Sequence, residues 1–248
     1  GSIVAFASVV AASVVTGTDG ASFALLAFLA AMAIGSVCGL VNGAFTAIGG
    51  IPPFIATLGM MTIARGAAQL YSGGRPIDAS SDAFTNVAGS NILGIPGLVW
   101  IYAIAILISF ILLNKTKYGR HLFAIGGNIN ASRICGINVE RTLILTYVYI
   151  GALSGLSGAM LTSRTFAGNP AYGIMWELDA IAATVIGGTS LAGGKGSVIM
   201  CVIGALIIGV INKGLNGLGV DPYWQQIVKG VIIIGAVQLD TLKNRSSK

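Results

Sequence analysis

Eight stretches of this chain are too apolar to be left in water, and they constrain the fold more than anything else in the sequence. They are Ser2–Val15, Phe23–Phe45, Pro53–Leu70, Leu98–Leu113, Leu143–Leu161, Leu178–Ile186, Ser197–Ile211 and Trp224–Leu239. Where hydrocarbon is the solvent, the backbone must satisfy its own N–H and C=O groups, and a helix does this within one segment. The expected fold class is therefore all-α, a polytopic transmembrane helical bundle. A full crossing takes about 20 residues, so the shorter stretches, Leu178–Ile186 above all, are expected as half-helices or re-entrant segments. Charged residues make up only 9% of the chain and its mean hydropathy is +0.87, whereas a soluble domain carries about a quarter charged residues. The 36 glycines fit the same picture, because small residues let helix backbones approach closely in lipid. Span count replaces domain count, and residues 1–248 are read as a single transmembrane domain.

Threading the stretches alternately sorts the charges. One side collects Lys115, Lys117, Arg120, Arg133, Arg141, Lys195, Lys243, Arg245 and Lys248 with Glu140 and Asp240. The other collects Arg75, Arg164 and Lys213 with Asp19, Asp78, Asp82, Glu177, Asp179 and Asp221. The basic side is cytoplasmic by the positive-inside rule. The net charge of +6 is thus accounted for by topology, without nucleic acid as a partner. Arg65 and Lys229 fall within spans, where each must face a cavity, pair with a carboxylate or snorkel to the interface. Trp176, Tyr223 and Trp224 suit an interfacial aromatic belt, or alternatively stacking on a sugar ring.

The stretch Gly39–Asn42, followed by Pro52, has a counterpart in Gly209–Asn212, followed by Pro222. Both keep Gly three residues before Asn and Pro ten after it, and the threading runs them in opposite directions across the membrane. Inverted repeats of this kind place a substrate path between two halves of a transporter. Pro52 and Pro53 open the helix that follows the first copy, and freed backbone groups there either face such a path or form an ordinary interfacial helix start.

Cys38, Cys135 and Cys201 are far apart, with no His in a metal-ligand spacing, so small apolar packing is the better reading and no metal site or cofactor is expected. His121 stands alone, and no nucleophile–base or paired-carboxylate set can be assembled around it, so the chain is not read as an enzyme. The glycine-rich run Gly187–Ser197 looks like a phosphate loop and fails its test. Counting back from Lys195, the pattern needs Gly at 189 and Ser or Thr at 196, where the chain has Thr189 and Gly196. A tight cytoplasmic turn carrying Gly188, Ser190, Gly194 and Lys195 is expected instead. Within the longest cytoplasmic loop, Asn114–Arg141, Asn128 is placed to cap a short helix that Gly136 ends. Asn128, Asn130, Ala131, Ser132, Arg133 and Gly136 then form either a docking knob or a patch whose charge only fixes topology.

Several stretches resemble one family: Gly43–Gly59 around IPPFIATLG, Ser72–Ile77 (SGGRPI), Tyr118–Asn128 (YGRHLFAIGGN), Gly136–Val139 (GINV), Glu177–Ser197 (ELDAIAATVIGGTSLAGGKGS) and Pro222–Gly230 (PYWQQIVKG). The chain is similar to the permease subunits of ribose, galactose and xylose ABC importers, a branch related to branched-chain amino-acid permeases. The family carries an upstream GIDLSVGS-like motif, and this chain begins at its last two letters, so the family's first helices are expected to be missing. The resemblance implies a homodimeric, multi-pass permease of the bacterial cytoplasmic (inner) membrane that takes sugar from a periplasmic binding protein. A separate cytoplasmic ATPase subunit would drive it and hold Asn128–Gly136 as the coupling helix. It also implies a translocation path, for which Asn42, Pro53, Phe54, Thr57 and Asn212 are the candidates by position. Between sugars the motifs lean slightly to galactose over ribose. The rival readings are an ATP-independent secondary transporter or channel, a membrane-embedded enzyme and a branched-chain amino-acid permease.

Overall fold

The computed structural model describes residues 1–92, 94–221, 223–228, 230–231, 234–235 and 238. In chain order its elements are α1 (Ser2–Val15), α2 (Ala21–Ala47), α3 (Pro53–Ser72), β1 (Ile77–Asp78), α4 (Asp82–Gly89), β2 (Asn91–Ile92), β3 (Ile95–Pro96) and α5 (Gly97–Lys115). There follow α6 (Lys117–Gly127), α7 (Ile129–Ile134), α8 (Val139–Thr165), β4 (Ala167–Gly168), α9 (Trp176–Ile186) and α10 (Val198–Gly217). A helix thus stands at each of the first seven apolar stretches, and residues 223–228 of the eighth are helical. Among the described residues, four helices are long and apolar enough to cross a membrane: α2, α5, α8 and α10. At 1.5 Å per residue, α9 reaches only about 17 Å, too short to cross unaided, as expected of a half-helix.

The chain divides into two compact units, the first comprising Gly1–Leu107 and Asn138–Ile174, the second Ile108–Ile137 and the residues from Met175 onward. In the first unit α1 is the core. Ala5, Ala7, Val9, Ala11, Ala12 and Val15 are wholly buried, and α1 packs on α2, α3, α8 and β4. Around it, α2 and α8 meet backbone to backbone. Small residues recur every fourth position along α2 at Ala27, Ala31, Gly35, Gly39 and Gly43, the spacing that keeps one helix face. A Cβ on Gly35 would land on the Gly151 carbonyl, one on Gly39 on the Tyr147 carbonyl, and one on Gly155 on the Ala31 carbonyl. Only hydrogen fits there, which is the small-residue logic of helix packing in lipid.

Outside the helices, β1 pairs antiparallel with β4, and α4 inserts the fully buried Phe84 against Phe28, ring centroids 5.3 Å apart. Ser163 donates its hydroxyl to the Phe84 carbonyl at 2.7 Å, and Thr162 donates to the Ser8 carbonyl at 3.1 Å. In the second unit α9 and α10 pack through Ala182, Ala183 and Ile208, and Gly204 lies against the Ala183 carbonyl.

Candidate coupling surface and translocation residues

The loop at 114–141 is mostly helix. Thr116 caps α6 by accepting from the Gly119 N–H at 3.4 Å, and Gly119 has no side chain because the start of α6 folds back onto the Leu113 carbonyl of α5. This helix was not read from the sequence. Its signals were a Thr cap and apolar Leu122 and Ile125 three apart, masked by three glycines that lower helix propensity. The next helix is the expected one. Asn128 accepts through its side-chain oxygen from the N–H groups of Asn130 and Ala131, both at 3.0 Å. Gly136 ends α7 at φ 81°, its N–H donating to the Arg133 carbonyl at 3.0 Å.

Of α7's six residues only Ser132 is buried, its hydroxyl donating to the Asn128 carbonyl at 2.9 Å. Ile134 is 87% exposed and Ile129 42%. Cys135 is exposed as well, which corrects the reading of all three cysteines as apolar packing; Cys38 alone is buried in a helix. An exposed isoleucine beside Arg133, on a short helix capped at both ends, presents an apolar and basic knob.

The glycine-rich run from Gly187 to Ser197 is a closed turn. The Ser190 N–H donates to the Lys195 carbonyl and the Gly193 N–H to the Ser190 carbonyl, both at 3.1 Å. Gly188, Gly193 and Gly194 take φ of 76°, 92° and 73°, angles that side chains resist. The turn rests on α6: a Cβ on Gly126 would lie 2.6 Å from the Gly194 nitrogen. Behind it lies a cavity of about 470 Å³ lined by Leu113, Leu122, Phe123, Lys195 and Cys201 among others. Gly126 is two residues before the α7 cap, so the glycine-rich turn rests on the helix that leads into α7, two segments that the sequence left separate.

The positions expected along a path lie on α2, α3 and α10. Pro53 is the first residue of α3, Phe54 is 72% exposed beside it, and the Thr57 hydroxyl donates back to the Pro53 carbonyl at 2.9 Å. Asn42 lies near the end of α2, 6% exposed, and Asn212 on α10. The side-chain oxygens of both are buried without a hydrogen-bond partner, at a cost of about 1–3 kcal/mol apiece. Thr46, which sequence reasoning missed, is in the same state one turn beyond Asn42.

Arg65 has backbone partners that were not expected for it. Its Nη1 donates to the backbone carbonyls of Pro170 and Tyr172 at 2.5 and 2.7 Å, which ties α3 to the segment after β4. Trp176, Tyr223 and Trp224 are 45%, 75% and 63% exposed, as either reading of them requires. Lys229, Lys243, Arg245, Lys248, Asp240 and Pro222 lie outside the described residues.

Known proteins place this architecture. The family model described as "Branched-chain amino acid transport system / permease component" matches residues 1–237. The ribose import permease protein RbsC of Escherichia coli K12 is 44% identical over 247 residues, covering 98% of this chain and 76% of that protein. RbsC of Bacillus subtilis 168 matches with the same identity and coverage. The galactose/methyl galactoside import permease protein MglC of Escherichia coli K12 is 42% identical over 261 residues, covering 99% of this chain and 78% of the relative. No solved structure matches the chain. With near-complete coverage by the family model and by relatives at 42–44% identity, this multi-pass membrane protein belongs to the branched-chain amino acid transport system permease component family.

Proposed function

We propose that the chain is the membrane-spanning subunit of an ATP-driven monosaccharide importer of the bacterial cytoplasmic membrane. The observation that carries the ATP-driven part is α7: a doubly capped helix outside the apolar spans, with Ile134 87% exposed beside Arg133. Ile129 and Ile134, both exposed on a short helix that carries Arg133 and lies outside the apolar spans, support a docking role for it. The similarity to ribose and galactose permeases supplies the substrate class, and their near-equal identities do not choose between the two sugars.

On this reading two copies of the chain pair in the membrane, and a periplasmic binding protein delivers sugar to them. A separate ATPase seats Asn128–Gly136 in a cleft. Closure of the ATPase moves α7, and the Gly126–Gly194 contact passes that motion to the turn of Gly188, Ser190, Gly194 and Lys195 that leads into α10. Asn42, Pro53, Phe54, Thr57 and Asn212 are the candidate path residues. No catalytic residue and no cofactor are assigned to this chain.

The test is uptake of D-ribose and D-galactose into proteoliposomes holding the permease, with and without its ATPase and binding protein. ATP-dependent uptake of either sugar is expected, and Ile134→Asp or Arg133→Glu should abolish uptake and ATPase stimulation while membrane insertion stays intact. Uptake driven by a proton or sodium gradient alone would refute the reading.

A further inference from the structure

The two Gly–Asn–Pro copies keep the same place in their helices. Asn42 stands five residues before the end of α2 at Ala47, and Asn212 five before the end of α10 at Gly217. Four residues on, each copy has a second polar side chain, Thr46 in the first and Asn216 in the second. In the second copy that residue is satisfied: Gln225, itself 8% exposed, donates Nε2 to the Asn216 side-chain oxygen at 3.0 Å. The position matching Gln225, thirteen residues after the Asn, is Ile55 in the first copy. An isoleucine cannot donate, and the Thr46 hydroxyl is left buried with no partner.

Thr46 is also unusual among helical threonines here. Thr57, Thr142, Thr146, Thr162 and Thr165 donate to the carbonyl four residues back at 2.8–3.0 Å, the ordinary way a helix absorbs a hydroxyl. Thr46 does not, although the Asn42 carbonyl is its own four-back acceptor. Asn42 and Thr46 share one face of α2, with Cβ atoms about 5–6 Å apart. One offers an acceptor and the other both a donor and an acceptor, and the protein fills neither.

We propose that Asn42 and Thr46 form a hydroxyl-reading pair, which hydrogen-bonds adjacent hydroxyl groups of the transported monosaccharide at one stage of the transport cycle. The inference rests on the importer reading and adds Thr46 to it. A sugar hydroxyl donates to the Asn42 oxygen while a neighbouring one exchanges a hydrogen bond with Thr46, completing groups that are closed off and incomplete in the conformation described.

A structural orphan and a substrate contact respond differently to an isosteric apolar replacement. Removing a merely orphaned hydroxyl is neutral or stabilising, so Thr46→Val should leave the thermal midpoint of the purified permease unchanged or raise it. If the pair reads the sugar, the same variant in the full permease–ATPase–binding protein complex should lose roughly five- to ten-fold in D-ribose or D-galactose uptake. Thr46→Ser, which restores a hydroxyl, should stay within about two-fold of wild type. Wild-type uptake by Thr46→Val overturns the inference and leaves the importer reading standing. Loss of uptake together with a lowered midpoint makes Thr46 a packing residue and overturns it too. A wild-type complex that imports neither sugar defeats the importer reading, and this inference with it.

Discussion

The α2–α8 seam makes a sharp prediction about a single methyl group. In Gly151→Ala the new Cβ would coincide with the Gly35 carbonyl and come within 3.1 Å of the Gly39 Cα, against an ordinary contact of about 3.5–4.0 Å. The obstacles are backbone atoms, so no rotamer relieves them and the helices must separate by about 1 Å. A gap of that size forfeits up to half of each contact of about 0.1–0.2 kcal/mol. Over some 20 atom pairs along the seam, roughly 1–2 kcal/mol is lost. Adding the strain of overpacking brings the cost to about 2–3 kcal/mol, inside the range seen for enlarged core residues. Gly66→Ala in α3 is the control. A Cβ there meets nothing within 4 Å, and a mid-helix Gly→Ala change is worth up to about 1 kcal/mol in favour of the helix. The two alanines should therefore move unfolding free energy in opposite directions when the permease is titrated with SDS in mixed micelles. Gly35→Ala and Gly151→Ala strike the same contact, so the double variant should cost clearly less than the sum of the singles. Equal stability of Gly151→Ala and Gly66→Ala, or strict additivity in the double variant, would refute the backbone-contact account.

Two further outcomes follow from named contacts. Asn128→Ala removes both cap bonds of α7 and should cost about 1 kcal/mol of local helix stability, whereas Asn128→Gly should cost only a few tenths. Amide exchange at Asn130 and Ala131 measures this directly, with about five-fold faster exchange expected for the alanine variant alone. Arg65→Ala removes two charge-assisted donors from the Pro170 and Tyr172 carbonyls, and a cost of about 2 kcal/mol is expected. It should appear as a lower unfolding midpoint and as faster proteolysis between Asn169 and Gly173, and Arg65→Lys should recover only part of it, because a lysine lacks the planar fork.

Most of the fold was legible because solvent exclusion writes itself in composition. Apolar runs gave the helices, and positions such as Asn128 and Gly136 gave the caps of α7, since capping chemistry is local. What stayed hidden depends on backbone meeting backbone at long sequence separation. Nothing about Gly119 or Gly126 announces that one sits on the Leu113 carbonyl and the other beside Gly194, and their low helix propensity argued against α6. Arg65 shows the same limit from the polar side. A cation within a span predicts a carboxylate or a route to water, yet here two main-chain carbonyls more than a hundred residues away also accept its hydrogen bonds, and carbonyls are present at every residue.

The repeat carries this lesson into the candidate site. Sequence alone pairs Asn42 with Asn212, because identical residues at identical spacing are visible. It does not pair Thr46 with Asn216, since the residues differ, nor does it reveal that Gln225 donates to Asn216 in one copy while Thr46 has no partner in the other. Which polar groups a fold satisfies is a property of partners brought from elsewhere along the chain. Two stretches with the same pattern can therefore end with different polar groups unpaired, and on the proposal above those are the groups that a hydroxyl-bearing solute would complete. A helix face that would be a defect in a static bundle becomes useful when its missing partner is the cargo, because binding then supplies hydrogen bonds the protein cannot make for itself, and release withdraws them.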